Sequence, residues 1–115
     1  MSIGASGEIF ASSYLCKKGY KIVAQNYRCR LGEIDIIARK ENVLIFCEVK
    51  TRQDKKFGEP FEAVTVYKQS RLRRLAEHYL LRHPSNNSVF RFDVISILFG
   101  CDGKTKEILH IENAF

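Results

Sequence analysis

Apolar side chains recur along the chain at spacings that predict one helix followed by three strands. Ala11, Tyr14 and Leu15 lie at helical spacing within residues 5–18, and Gly19 is a C-terminal stop for that helix. Alternating residues then predict a strand over residues 20–27, and segments rich in Ile and Val predict strands over residues 33–39 and 43–50. The polar break at residues 40–42 makes the second and third strands a hairpin.

A second helix and two further strands complete the pattern. Thr65 can cap a helix that runs to about Arg82, with an apolar stripe at Leu72, Leu75, Ala76, Tyr79 and Leu80. His83-Pro84 ends this helix, because the residue before a proline disfavours helical backbone. Residues 89–99 are almost continuously apolar, which favours a central strand covered on both faces. After a turn at residues 100–103, residues 106–112 form a shorter last strand.

The order of these elements predicts an α/β fold. The first three strands form a meander, and the long helix is a right-handed crossover that places the fourth strand parallel to the third. We therefore expect a three-layer sandwich with a mixed sheet, an αβββαβ core and an extra C-terminal strand. A chain of 115 residues fits one domain, spanning residues 1–115.

The predicted hairpin brings charged residues together. A turn at Glu41-Asn42 makes paired positions sum to 83, so that Asp35 faces Glu48 and Glu33 faces Lys50 across the strands, all on one face. That face continues towards the turn as Ile37, Leu44 and Phe46, so another layer covers it. The opposite face is apolar and is predicted to be core, with Ile34, Ile36 and Ala38 against Val43, Ile45, Cys47 and Val49.

Two carboxylates directly across a strand pair repel unless one is protonated or a cation lies between them. Oxygen ligands favour Mg²⁺ or Mn²⁺, so Asp35, Glu48 and Glu33 are candidate metal ligands. Lys50 points the same way and can neutralise a phosphate. Glu8 lies on the inner stripe of the first helix and is expected to face the sheet. The alternatives are a charged ladder on a solvated strand face and, for Glu8, a first-turn acid that reaches solvent.

The composition indicates a polyanionic partner, and it excludes membrane-spanning, secreted and zinc-binding proteins. The formal net charge is +6, and 45% of the residues are hydrophobic, as in ordinary globular domains. No run of 18 apolar residues predicts a membrane span, and the N-terminus has no signal-peptide pattern, so we expect a cytoplasmic protein without a membrane partner. The four cysteines form no zinc-binding spacing and are expected to be free thiols.

Together with this geometry, the motifs resemble a known family. Gly32-Glu33-Ile34-Asp35 followed by Glu48-Val49-Lys50 looks like the D…E-x-K signature of the PD-(D/E)XK nuclease superfamily. The wider pattern resembles the small bacterial YraN-like proteins, described as predicted endonucleases distantly similar to Holliday-junction resolvases. The further matching pieces are Gly4-x-x-Gly7-Glu8, Gly19-Tyr20, Asn26-Tyr27-Arg28, Phe57-Gly58-x-Pro60, Glu62-Ala63-Val64, Lys68 and Arg91-Phe92-Asp93-Val94-Ile95.

The resemblance implies a restriction endonuclease-like fold and a metal-dependent endonuclease acting on DNA, with branched or junction DNA as the first substrate to test. It implies metal ligands at Asp35 and Glu48, a catalytic lysine at Lys50 and an accessory acid at Glu8. The chain departs from the family at Val66, where proline often follows the helix-capping residue. This difference concerns the helix start and not the site.

Basic residues are predicted to surround the acids and to bind nucleic acid, although a solvated helix face is the alternative for those on the long helix. They are Arg28, Arg30, Arg52, Lys55, Lys56, Lys68, Arg71, Arg73 and Arg74, and Arg82 adds to the same helix. Lys68 lies on the inner stripe at the first turn, where it could be a second phosphate ligand. Besides the nuclease, a non-catalytic nucleic-acid-binding module and a protein-interaction subunit stay open, as does a homodimer.

Overall fold

A computed structural model of the chain describes residues 3–52, 64–84, 89–100, 102 and 104–115. The elements are α1 (Ile3–Lys17), β1 (Lys21–Cys29), β2 (Gly32–Lys40), β3 (Val43–Arg52), α2 (Val66–Arg82), β4 (Val89–Phe99) and β5 (Thr105–Ile111). Each begins and ends within two residues of its predicted bounds. Thr65 is the N-cap of α2, and its hydroxyl accepts a hydrogen bond from the backbone N–H of Lys68, as its position predicts.

The five strands form one mixed sheet in the order β1-β2-β3-β4-β5. β1, β2 and β3 are an antiparallel meander, α2 crosses over so that β4 runs parallel to β3, and β5 returns antiparallel to β4. This confirms the predicted α/β sandwich with an additional C-terminal strand. In the part of the chain that the structure describes, neither helix has the length and apolar character needed to cross a bilayer.

Two hydrophobic cores lie on the two sides of the sheet, which accounts for the continuous apolar run in β4. The core on the α2 side contains Ile34, Ile37, Leu44, Phe46, Val64, Leu72, Leu75, Ala76, Tyr79, Phe92 and Val94. The core on the α1 side contains Ala11, Leu15, Tyr20, Ile36, Ala38, Ile45, Cys47, Ile95, Ile97 and Phe99. The apolar positions of the two hairpin faces are therefore assigned correctly from the sequence, with one exception.

The exception is Ile34, which the alternation predicts on the α1 side with Ile36. It packs instead on the α2 side, together with Tyr27, its partner across the strands. Asn26, next to Tyr27 in β1, has a φ of 51° and interrupts the pleat of that strand. The change of face at Ile34 lies in β2, beyond the last residue pair that β2 makes with β3.

Candidate active site

The predicted register of the hairpin holds near its turn and ends before the acidic residues. β2 and β3 pair from Lys40↔Val43 to Ile36↔Cys47, and each pair sums to 83 as predicted. The direct Asp35–Glu48 and Glu33–Lys50 pairs are not formed, which corrects the sequence-based prediction.

Asp35 lies in the gap where the two strands separate. Its carboxylate accepts a hydrogen bond from the backbone N–H of Val49, at 2.9 Å. Backbone N–H groups of a strand point along the sheet, so this carboxylate replaces a bond of the ladder. The side chain therefore reaches towards β3 and does not stand straight out from one face.

The carboxyl group of Asp35 is surrounded by other acids. Burial raises its pKa to about 7, with further contributions from Glu48 and, more weakly, from Glu8 and Glu33, against the lowering effect of the Val49 N–H. Three carboxylates, from α1, β2 and β3, thus lie within electrostatic range of Asp35. A carboxyl group in such a setting is half protonated near neutral pH, unless a cation compensates its charge.

Glu8 reaches this group because α1 packs closely on the end of β3. The neighbouring Gly7 is buried, and a Cβ atom placed there would collide with the Cγ2 of Thr51. Only a residue without a side chain allows the helix to approach the strand to this distance. The structure thus directs Glu8 towards the sheet, as its helical spacing predicts, and its role as accessory acid stays a prediction.

Glu48 is a nearly buried carboxylate held by two lysines. It is 8% exposed, and its Oε1 lies 2.6 Å from the Nζ of Lys68 and 3.6 Å from the Nζ of Lys50. Lys68 comes from the first turn of α2, so the sequence-based expectation that it lies near the end of β3 is confirmed. The sequence gives no indication that Lys68, and not Lys50, makes the shorter contact.

The two lysines differ electrostatically although they share one partner. Burial and the adjacent Lys68 lower the pKa of Lys50, and Glu48 only partly offsets them. Burial lowers the pKa of Lys68, but the hydrogen bonds to Glu48 and Lys50 and the charges of Glu48 and Asp35 together raise it above its ordinary value.

Glu33 is engaged outside this cluster. Its carboxylate accepts a hydrogen bond and ion pair from the guanidinium of Arg28 on β1. It still raises the pKa of Asp35, as the weakest of the acids that do so. Its predicted role as a metal ligand would require it to exchange Arg28 for the cation.

The groups that this cluster offers to a divalent metal are carboxylate oxygens. Among the described residues, no three His, Cys, Asp or Glu side chains lie close enough together to hold a metal ion by themselves. Mg²⁺ in nucleotide-processing sites is typically held by one or two carboxylates, with water and substrate phosphate completing its shell. Asp35 and Glu48 are two carboxylates of that kind, on neighbouring strands.

Comparison with known proteins gives the family. The model of "Uncharacterised protein family UPF0102" matches residues 7–97. The chain belongs to this family. UPF0102 proteins of Caldicellulosiruptor saccharolyticus, Alkaliphilus metalliredigens and Symbiobacterium thermophilum are 45%, 49% and 49% identical to it, over at least 98% of this chain and 95% of theirs. UPF0102 is the YraN family that the motifs resemble.

The basic residues of the UPF0102 chain do not form one uniform surface. Lys68 is in the acidic cluster, and Arg71 follows it along α2, with its Cδ 3.8 Å from a Cβ built at Gly32. Arg73 lies on the other flank of α2, over the rings of Phe92 and Phe115. Arg30 and Arg74 are exposed, and Arg52 ends β3. Lys55 and Lys56 lie outside the described residues.

A second charged network of the UPF0102 chain escapes sequence reasoning. Asp93 in β4 is fully buried and accepts hydrogen bonds from Arg91, the backbone N–H of Asn113 and the ring of His110, whose other nitrogen lies 3.2 Å from the hydroxyl of Tyr14. Burial opposes ionisation, but these bonds lower the pKa of Asp93. The network joins α1, β4 and the C-terminal residues. An acid inside the apolar run at 89–99 signals a buried charge, although it does not indicate the partners.

Proposed function

We propose that this chain is a metal-dependent endonuclease that hydrolyses phosphodiester bonds in DNA, with branched DNA as its first candidate substrate. A Mg²⁺ or Mn²⁺ ion held by Asp35 and Glu48 would polarise the scissile phosphate and acidify an attacking water. The observation that carries the proposal is the placement of these two carboxylates beside two partly buried lysines. Binding phosphates alone would not require acids that repel them.

The residues of the cluster have separate roles in this proposal. Lys50, whose pKa is lowered by burial and by Lys68, stabilises the negative charge that develops on the phosphate during hydrolysis. Lys68 orients Glu48 and neutralises a neighbouring phosphate. Asp35 is fixed by the Val49 N–H, and Glu8 acts as an accessory acid beside it. Pre-organised charges of this kind lower the barrier without reorganising during the reaction.

The test is a cleavage screen over duplex, flap, four-way-junction and single-stranded DNA, and RNA, with Mg²⁺ and with Mn²⁺. Lys50→Ala should reduce the cleavage rate about 10²–10³-fold, as expected for one electrostatic group, with DNA affinity largely retained. Lys104→Ala, an exposed lysine, is the matched control and should cleave like the wild type. Equal cleavage by wild type and Glu48→Ala would assign the activity to a contaminant and overturn the proposal.

A second candidate is a nucleic-acid-binding module without cleavage. It is favoured by the ion pairs at two predicted metal ligands, because Glu48 is bound by Lys68 and Glu33 by Arg28. Under this proposal, wild type binds the same substrates and cuts none of them with either metal. Light scattering on these samples also tests whether the chain forms a homodimer.

A further inference from the structure

A cavity lies between the end of β1 and the end of α2, apart from the acidic cluster. It has a volume of about 780 Å³. Its lining residues are Tyr27, Arg28, Cys29, Arg30, His78, Arg82 and His83. This volume is within the range of small-molecule binding sites, which is roughly 300–1,000 Å³.

The lining is cationic and, among the described residues, contains no acid. Arginine and histidine near a helix C-terminus are often explained by the helix dipole alone, and this would account for Arg82 and His83. It does not account for Arg30, which lies in the turn after β1, whereas Arg28 at the end of β1 is paired with Glu33. Arg30 and Arg82 therefore bring guanidinium groups from two elements to one concave surface, as phosphate-binding sites do.

Aromatic rings lie beside these charges. His83 is exposed and stacks on Tyr79, with ring centroids 4.3 Å apart and an angle of 15° between the planes. Tyr27 donates to or accepts from the Nδ1 of His78 at 2.7 Å, which fixes both rings. A ring supported from behind is a pre-organised platform for a nucleobase, since stacking is tolerant of base identity.

The cavity and the acidic cluster are connected along α2. Lys68, Arg71, His78 and Arg82 lie at helical spacing on one stripe, with the buried Leu75 between them. The stripe spans about 21 Å, the length of roughly six nucleotides of a DNA strand. At the cavity end, Arg28 pairs with Glu33, two residues from Asp35.

We propose that this cavity binds an unpaired nucleotide, with its phosphate on Arg30 and Arg82 and its base stacked on His83. The inference rests on the proposed function in one respect: the same nucleic-acid strand continues along α2 to the acidic cluster. It specifies the substrate class as DNA or RNA with a single-stranded segment.

The first test measures binding of a labelled single-stranded oligonucleotide and of its blunt duplex, in EDTA so that no metal is needed. Arg30→Gln with Arg82→Gln should weaken single-strand binding about tenfold and reduce the slope of log affinity against log salt by ~1.4, the value for two lost phosphate contacts. The control variant, Lys17→Gln with Lys21→Gln, removes the same charge elsewhere. It should change neither the single-strand affinity nor the salt slope. Equal losses in both double variants would overturn the proposal.

The second test measures stacking. A single-stranded oligonucleotide carrying a fluorescent adenine analogue should change its emission on binding to wild type and to His83→Phe, and this change should be lost in His83→Ala. An unchanged emission response in His83→Ala would overturn the base-binding part, and circular dichroism checks that each variant is folded.

Different results would refute the proposed nuclease and the proposed nucleotide site. Cleavage by wild type combined with unaltered binding in the cavity variants would refute the nucleotide site and leave the nuclease standing. Impaired single-strand binding in these variants, with no cleavage by wild type, would refute the nuclease and leave the nucleotide site standing.

Discussion

Replacing Asp35 with asparagine should make the metal-free protein more stable. Asp35 is largely buried among other carboxylates, and its pKa is raised to about 7 from an ordinary value of 3.8. Asparagine has a similar shape and keeps an oxygen that can accept the Val49 N–H, but it carries no charge. The substitution therefore removes an electrostatic penalty and retains the hydrogen bond.

The sign and size follow from proton linkage. The folded state binds the Asp35 proton more tightly than the unfolded state. Protonation of Asp35 therefore stabilises the fold fully below the ordinary pKa, and this stabilisation is lost as the pH rises to about 7. Each pKa unit is worth ~1.36 kcal/mol, so the full shift of about three units amounts to ~4 kcal/mol. We expect Asp35→Asn to raise the free energy of unfolding by about 2–4 kcal/mol at pH 8 and to change it little near pH 4.

Urea denaturation in EDTA at several pH values measures this difference. Glu77→Gln removes an exposed carboxylate from α2 and is the matched control. Adding Mn²⁺ should then stabilise the wild type, by ~2.7 kcal/mol at a hundredfold excess over its dissociation constant, and leave Asp35→Asn unaffected. A variant less stable than wild type at pH 8, or a difference independent of pH, would refute the reasoning.

Three further predictions concern other parts of the fold. Gly7→Ala should lower the melting temperature, because overpacking against Thr51 costs about 1–3 kcal/mol, and Thr51→Ser, which lacks the colliding methyl group, should restore it in the double variant. Asp93→Asn should cost about 3–5 kcal/mol near neutral pH, since it leaves buried partners unpaired. The pKa of Asp93 is lowered, so this deficit, measured by urea denaturation, should shrink as the pH falls below the ordinary aspartate pKa and through the folded one. Arg71→Ala should flatten the salt dependence of DNA binding, whereas Arg73→Ala should leave that slope unchanged and lower the melting temperature, because Arg73 packs on aromatic rings.

Most of the fold follows from periodicity. The strand at 89–99 and the helix capped by Thr65 are predicted to their bounds, because a two-sided apolar run and a capped amphipathic stripe each match one element length. The crossover then fixes β4 beside β3, since right-handed connections dominate. These are properties that neighbouring residues determine by themselves.

The site follows from the sequence only in part. Pairing rules assume a continuous ladder, and they place Asp35 opposite Glu48 as long as the pleat is regular. The left-handed Asn26 and the separation of β2 from β3 depend on how the sheet is covered, which no local pattern contains. For the same reason, no local pattern contains the Lys68–Glu48 contact or the partners that surround the buried Asp93.

The incorrect pairing and the acidic cluster have a common cause. Where β2 and β3 separate, a backbone N–H loses its ladder partner, and Asp35 supplies the acceptor that satisfies it. The gap lies between the two helical layers, so α1 can bring Glu8 to it from one side and α2 can bring Lys68 to Glu48 from the other. A regular hairpin would keep these two layers apart. The irregularity that defeats the pairing rule is thus what allows charges from both layers to act on one carboxyl group.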